Sequence, residues 1–164
     1  KIFSMYKIVF VLLLIANMLQ AQEKKINLYN PYENADSAIT IIKKKAALEG
    51  KHILIQIGGN WCSWCIEFNR FTTTDKQMDS LLKADFVVYH LNYSKENLNK
   101  KLLAQFGFPQ RFGFPVFIVL DNKGKQLHTQ NSSYLEKDKS YSKEKVMEFF
   151  QHWNAKALDP KANG

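Results

Sequence analysis

Both cysteines of the 164-residue chain lie in one stretch, Gly58 to Arg70, which reads GGNWCSWCIEFNR. Ser63 and Trp64 separate Cys62 from Cys65. Residue type and spacing allow three uses: a reactive dithiol, half of a metal site, or a small structural staple. The spacing is about one helical turn, so on a helix both sulfurs share a face. At a helix start the first cysteine meets unpaired backbone N–H groups at the positive end of the dipole. Those groups favour a thiolate and make Cys62 the nucleophile. Cys65, one turn on, is placed to attack a mixed disulfide on Cys62 and resolve it.

The flanking elements supply that context. His52 to Ile57 (HILIQI) is a short, apolar, β-branched run that predicts a buried strand. Gly58-Gly59-Asn60 is a turn, and a helix is expected from Cys62 to about Phe71. Upstream, Asp36 to Glu49 carries a helical pattern stopped by Gly50. Downstream, Thr74 or Asp75 caps a helix with Met78, Leu81 and Leu82 on its buried side. Phe86 to Asn92 reads as a second strand, and Ser94 to Phe106 as a helix capped by Ser94. Gly107 to Phe114 is a loop, Pro115 to Leu120 a third strand, Asp121 to Gly124 a hairpin turn and Lys125 to Thr129 its return strand. Asn131 to Tyr141 is polar and irregular. Ser142 caps a last helix, with Val146, Phe149, Phe150 and Trp153 on one face. Early strands separated by helices and a late hairpin predict an α/β fold: a mixed sheet with helices on its faces.

The rival uses of the cysteines find less support. A metal site needs more ligands, there is no second C-x-x-C, and His52, His90, His128 and His152 are scattered without ligand spacing. No metal and no organic cofactor is expected. A staple closing so small a loop removes little chain entropy. The chain is also long enough to bury a core without one.

Residues 1–21 read as a signal peptide starting at Met5, with Lys7 before the apolar run Ile8 to Leu19 and cleavage near Ala21. That run is short of the roughly 20 residues a spanning helix needs. Residues 22–32 are then an irregular lead-in, 33–156 one domain and 157–164 a flexible tail. Formal net charge is +8, carried by scattered lysines and only two arginines, Arg70 and Arg111. Without an arginine-forked basic stripe or aromatic platforms, nucleic-acid binding is not expected.

Residues 53–65, ILIQIGGNWCSWC, resemble the active-site segment of the thioredoxin superfamily: strand, turn, tryptophan, C-x-x-C. Gly113-Phe114-Pro115-Val116-Phe117 is similar to that family's segment in which a cis-proline opens a strand opposite the cysteines. The W-C-x-W-C centre looks closest to exported bacterial thioredoxin-like proteins, relatives of the C-terminal domain of DsbD. The resemblance implies a three-layer α/β/α sandwich around a mixed sheet. It implies Cys62 as attacking thiolate, Cys65 as resolving thiol, and Trp61, Phe114 and Pro115 around the substrate groove. It further implies a periplasmic thiol–disulfide oxidoreductase working as a reductase of protein disulfides, as a monomer recharged by a DsbD-like membrane electron donor. The alternative is a non-catalytic binding module of the same fold with a permanent bridge.

Two departures stand out. Gln56 occupies the position where many thioredoxins carry a buried aspartate that helps proton transfer at the second cysteine. An amide cannot take a proton, and Glu67 is the nearest carboxylate in sequence that could substitute. Ser63-Trp64 includes no histidine, which argues against a strong oxidant.

Overall fold

The computed structural model describes residues 27–163. The expected signal peptide lies outside the described residues, and among those described no helix is long and apolar enough to cross a membrane.

Helix α1 (Ala35–Glu49) starts where Asn34 Oδ1 accepts the Ser37 N–H at 2.9 Å, and ends at Gly50 in the left-handed conformation. Strand β1 (His52–Gly58) is buried along its whole length, as a continuous apolar run demands of a central strand. Helices α2 (Ser63–Thr74) and α3 (Lys76–Asp85) meet at Asp75, whose carboxylate accepts the Gln77 and Met78 N–H groups. Strand β2 (Phe86–Asn92) pairs parallel with β1, while β3 (Val116–Leu120) pairs antiparallel with it. Strand β4 (Gln126–Asn131) pairs antiparallel with β3, giving the order β2-β1-β3-β4.

Because side chains alternate across a strand, the sheet builds two cores. Ile53, Ile55 and Ile57 join Leu91, Val116 and Ile118 beneath α1 and a short helix, α4 (Lys100–Gln105). On the opposite face Leu54, Phe117 and Val119 pack against Phe68 of α2, Met78 and Leu82 of α3, and Phe149 and Phe150 of α5 (Lys143–Trp153). Burying each such side chain contributes about 1.5–3 kcal/mol. The result is the expected three-layer α/β/α arrangement with a mixed sheet.

Four expectations change. The helix expected over residues 94–106 forms only at Lys100–Gln105. Before it, Asn92 donates to Ser94 Oγ and Asn97 O, and Asn99, in the left-handed region, donates to Asn92 O. Those side-chain bonds satisfy the backbone locally and outcompete a helix. Residues 131–141 are more ordered than their polarity suggests: a 3₁₀ turn at Ser132–Leu135 precedes a hairpin of β5 (Glu136–Lys137) and β6 (Ser140–Tyr141). Part of the lead-in belongs to the folded body, since Tyr29 is almost wholly buried. The tail carries a helical turn, α6 (Pro160–Asn163).

Candidate active site

Cys62 is the N-cap of α2. Its Sγ accepts the backbone N–H of Cys65 at 3.1 Å, and its carbonyl accepts the Ile66 N–H at 3.2 Å. Cys62 thus stands one residue earlier in the helix geometry than the sequence reading placed it, and its sulfur takes up an orphan donor of the first turn. A disulfide joins Cys62 to Cys65. Cys65 is fully buried and Cys62 nearly so.

The turn that delivers β1 into α2 is closed by contacts from both sides. The lead-in and the turn exchange two hydrogen bonds, Tyr29 N–H to Asn60 Oδ1 (3.0 Å) and Asn60 Nδ2 to Tyr29 O (2.8 Å). Trp61 crosses Gly59 to donate its indole N–H to Tyr93 O at 2.8 Å. A Cβ on Gly59 would collide with that indole at 2.3 Å.

The Phe114–Pro115 peptide is cis, and Pro115 is buried at the start of β3. Phe114 stacks on Tyr93, with centroids 4.8 Å apart, and meets Trp61 edge-on at 5.4 Å. It also packs against the cluster containing both cysteines. Trp61, 58% exposed, is therefore one wall of an aromatic rim beside Cys62. An apolar hollow of about 340 Å³ continues from Trp61 past Tyr93 to Leu98. Phe108 and Phe112 are exposed on the adjoining loop. Arg111 lies over the Phe112 ring and donates to the Gly107 and Phe108 carbonyls, so it braces the loop.

Glu67 is engaged elsewhere. Arg70 donates to both of its oxygens at 2.7 Å, and Ser140 Oγ donates to one of them. These bonds, the Arg70 one foremost, hold its carboxyl below the usual range. Residues two apart on a helix point about 200° apart, so Glu67 is turned toward the β5–β6 hairpin while Cys65 faces the sheet. The proton-transfer role considered for Glu67 is therefore corrected to a tie between α2 and the hairpin.

What faces Cys65 instead is Gln56 and Tyr29. Gln56 Nε2 donates to Tyr29 Oη (2.8 Å) and to Cys65 O (2.9 Å). The Tyr29 ring meets His90 edge-on at 5.5 Å. Burial raises the Tyr29 phenol and lowers the His90 imidazole to about 4, so both are neutral at ordinary pH. Sequence reasoning missed Tyr29. It sits in a segment without periodicity, and its partners are about thirty residues away.

Two of the other histidines have structural surroundings. His52 Nδ1 bonds Trp153 O at 2.8 Å, and His128 stacks on the Trp153 ring. Among the described residues no three His, Cys, Asp or Glu side chains are grouped to hold a metal ion.

Comparison with known proteins agrees with this geometry. The thioredoxin-like family profile matches residues 36–122. The chain is 28% identical over 97 residues to the thiol:disulfide interchange protein DsbD of Actinobacillus pleuropneumoniae, covering 58% of this chain and 16% of that protein. It therefore spans only a small part of that relative's length. Among solved structures, a disulphide isomerase from Xylella fastidiosa Temecula1 superposes with a TM-score of 0.67 at 21% identity, over 77% of this chain and 95% of the other. The oxidised C-terminal domain of Neisseria meningitidis DsbD gives a TM-score of 0.54 at 14% identity, over 75% of this chain and 98% of that domain.

Proposed function

This chain belongs to the thioredoxin-like family, and on that premise we propose that it is a thiol–disulfide oxidoreductase that reduces protein disulfides in the periplasm. The observation that carries the reading is Cys62 Sγ at the N-cap of α2, taking the Cys65 N–H beside the aromatic rim of Trp61 and Phe114.

In the reduced protein the Cys62 thiolate attacks one sulfur of a substrate disulfide. The substrate S–S bond breaks, one substrate thiolate leaves, and a mixed disulfide forms on Cys62. The Cys65 thiolate then attacks Cys62 Sγ, forming the Cys62–Cys65 bridge and releasing the second substrate thiolate. Two electrons pass from the dithiol to the substrate, whose two sulfurs take up the protons the cysteines gave up. Trp61, Phe114 and the backbone beside Pro115 hold the substrate chain over Cys62. The bridge is then reduced by a membrane electron carrier of the DsbD kind, and the chain works as a monomer. The apolar run at residues 8–19 supports export, and the curated relatives named as thiol:disulfide interchange proteins support the exchange partners.

Turnover of a model protein disulfide, with Cys62→Ala as control, tests the chemistry. Wild-type turnover with none in the variant is expected. No turnover by the reduced wild type would leave a structural bridge and a plain binding surface. The direction is read from the reduction potential: near the ~−270 mV of thioredoxin fits a reductase, whereas near ~−120 mV fits an oxidant.

A further inference from the structure

Cys65 Sγ lies in a fully buried site. To resolve a mixed disulfide it must become a thiolate there, and an apolar site opposes that charge unless a hydrogen-bond donor meets it. Gln56 is the obvious neighbour, but an amide nitrogen has two protons to donate. Both are used, on Tyr29 Oη and on Cys65 O.

Tyr29 is differently placed. Its hydroxyl oxygen accepts the Gln56 N–H, which leaves its own O–H proton to donate. A Cβ built on Gly58 would lie 2.3 Å from Cys65 Sγ and 2.9 Å from Tyr29 Oη, so sulfur and hydroxyl adjoin the same small space. The bonds between the Tyr29 backbone and the Asn60 side chain fix the tyrosine to the turn that carries the cysteines. Gln56 fixes the oxygen from below.

We infer that Tyr29 is the hydrogen-bond donor to the Cys65 thiolate, standing in for the missing carboxylate at Gln56 by stabilising the anion rather than accepting its proton. The inference rests on the dithiol reading above. It acts on the second step alone: the Cys65 sulfur attacks Cys62 Sγ, the bond from Cys62 to the substrate sulfur breaks, and the substrate leaves as thiolate. The Cys65 proton passes to solvent and, in net terms, to that leaving thiolate. Burial keeps Tyr29 protonated, hence a donor, throughout the range in which thiols titrate. Of the other titratable rings near it, His90 is neutral in that range and Tyr141, raised foremost by its burial, stays protonated there. Glu67 and Arg70 are bound to each other.

Reaction of the reduced full chain with the chromogenic disulfide 5,5′-dithiobis(2-nitrobenzoate) separates the steps. Attack by Cys62 releases one coloured thiolate, and resolution by Cys65 releases a second. Tyr29→Phe removes only the hydroxyl. It should slow the second release about tenfold, the loss of one hydrogen bond to a charged group, and move its pH midpoint upward. The first release should be unchanged. An unchanged second release and midpoint in folded Tyr29→Phe overturn the inference. So does an equal loss in both steps, which marks a merely structural role. If Tyr29→Phe does not fold, Gln56→Leu, which keeps the Tyr29 hydroxyl but releases it and Cys65 O, should slow the second release alone and by less, and an unchanged second release overturns the inference. Absence of the first release in wild type would instead defeat the dithiol reading itself.

Discussion

Gly58 is in contact with Cys65: a Cβ added at Gly58 would stand 2.3 Å from the sulfur and 3.3 Å from its Cβ. The last residue of β1 is thus the floor beneath the Cys65 sulfur, and the strand-to-helix turn closes only because that residue has no side chain. Gly58→Ala must push α2 away from the sheet or displace Tyr29. Overpacking of this kind costs about 1–3 kcal/mol. Urea unfolding of the oxidised variant is expected to show that loss, and stability equal to wild type would contradict the close packing.

In the proposed mechanism Cys62 is activated by the backbone of α2, since the donor at 3.1 Å is the Cys65 N–H and not its side chain. Cys65→Ser keeps that donor. In this variant Cys62 should alkylate with a midpoint below the ~8.5 of a free thiol, and should accumulate stable mixed disulfides with substrates. Iodoacetamide rates against pH, with mass spectrometry of the adducts, check both. A midpoint at or above the free-thiol value would remove the N-cap account.

In the proposed function Trp61 has a binding role and no part in activating Cys62. It forms an exposed wall with Phe114 and touches the turn through Tyr93 O. Trp61→Ala should raise KM for a peptide disulfide about threefold to tenfold, the worth of one aromatic contact. Cys62 alkylation should stay at the wild-type rate. An unaltered KM would place the substrate elsewhere.

Acid should weaken the fold through His90. Burial lowers its imidazole to about 4, against 6.5 for a free group. Between those values the unfolded chain binds more protons than the folded one, so stability rises with pH across that window. It is whole above about 6.5 and declines as pH falls toward 4. The loss is on the order of 2 kcal/mol once partial exposure is allowed for. His90→Gln should flatten this dependence in denaturant unfolding measured on either side of the window; a slope equal to wild type would assign it to other groups.

Local signals account for most of the architecture. The continuous apolar run of β1 marked a central strand, and the turn glycines with C-x-x-C marked where α2 begins. Ser142 and the spacing of Val146, Phe149 and Phe150 marked α5, and Pro115 marked the opening of β3. Each is a regularity of neighbouring residues: a period, a cap, or a missing N–H. The segment Ser94 to Asn99 misled because its apolar spacing fits a helix, whereas its asparagine and serine side chains bond locally into a loop.

By itself the sequence determined the chemistry on offer: two thiols one turn apart, at a helix start, with an amide where a carboxylate often stands. The tertiary structure decided which groups surround Cys65. Glu67, two residues from Cys65, is turned away and held by Arg70 and Ser140. Tyr29, outside every periodic element, lies against Gly58 and takes the Gln56 amide. The physical reason is that a helix fixes direction as well as distance. A neighbour in sequence can point to the wrong side, while a side chain from a remote loop meets the sulfur only once the sheet, the turn and the lead-in have closed around it.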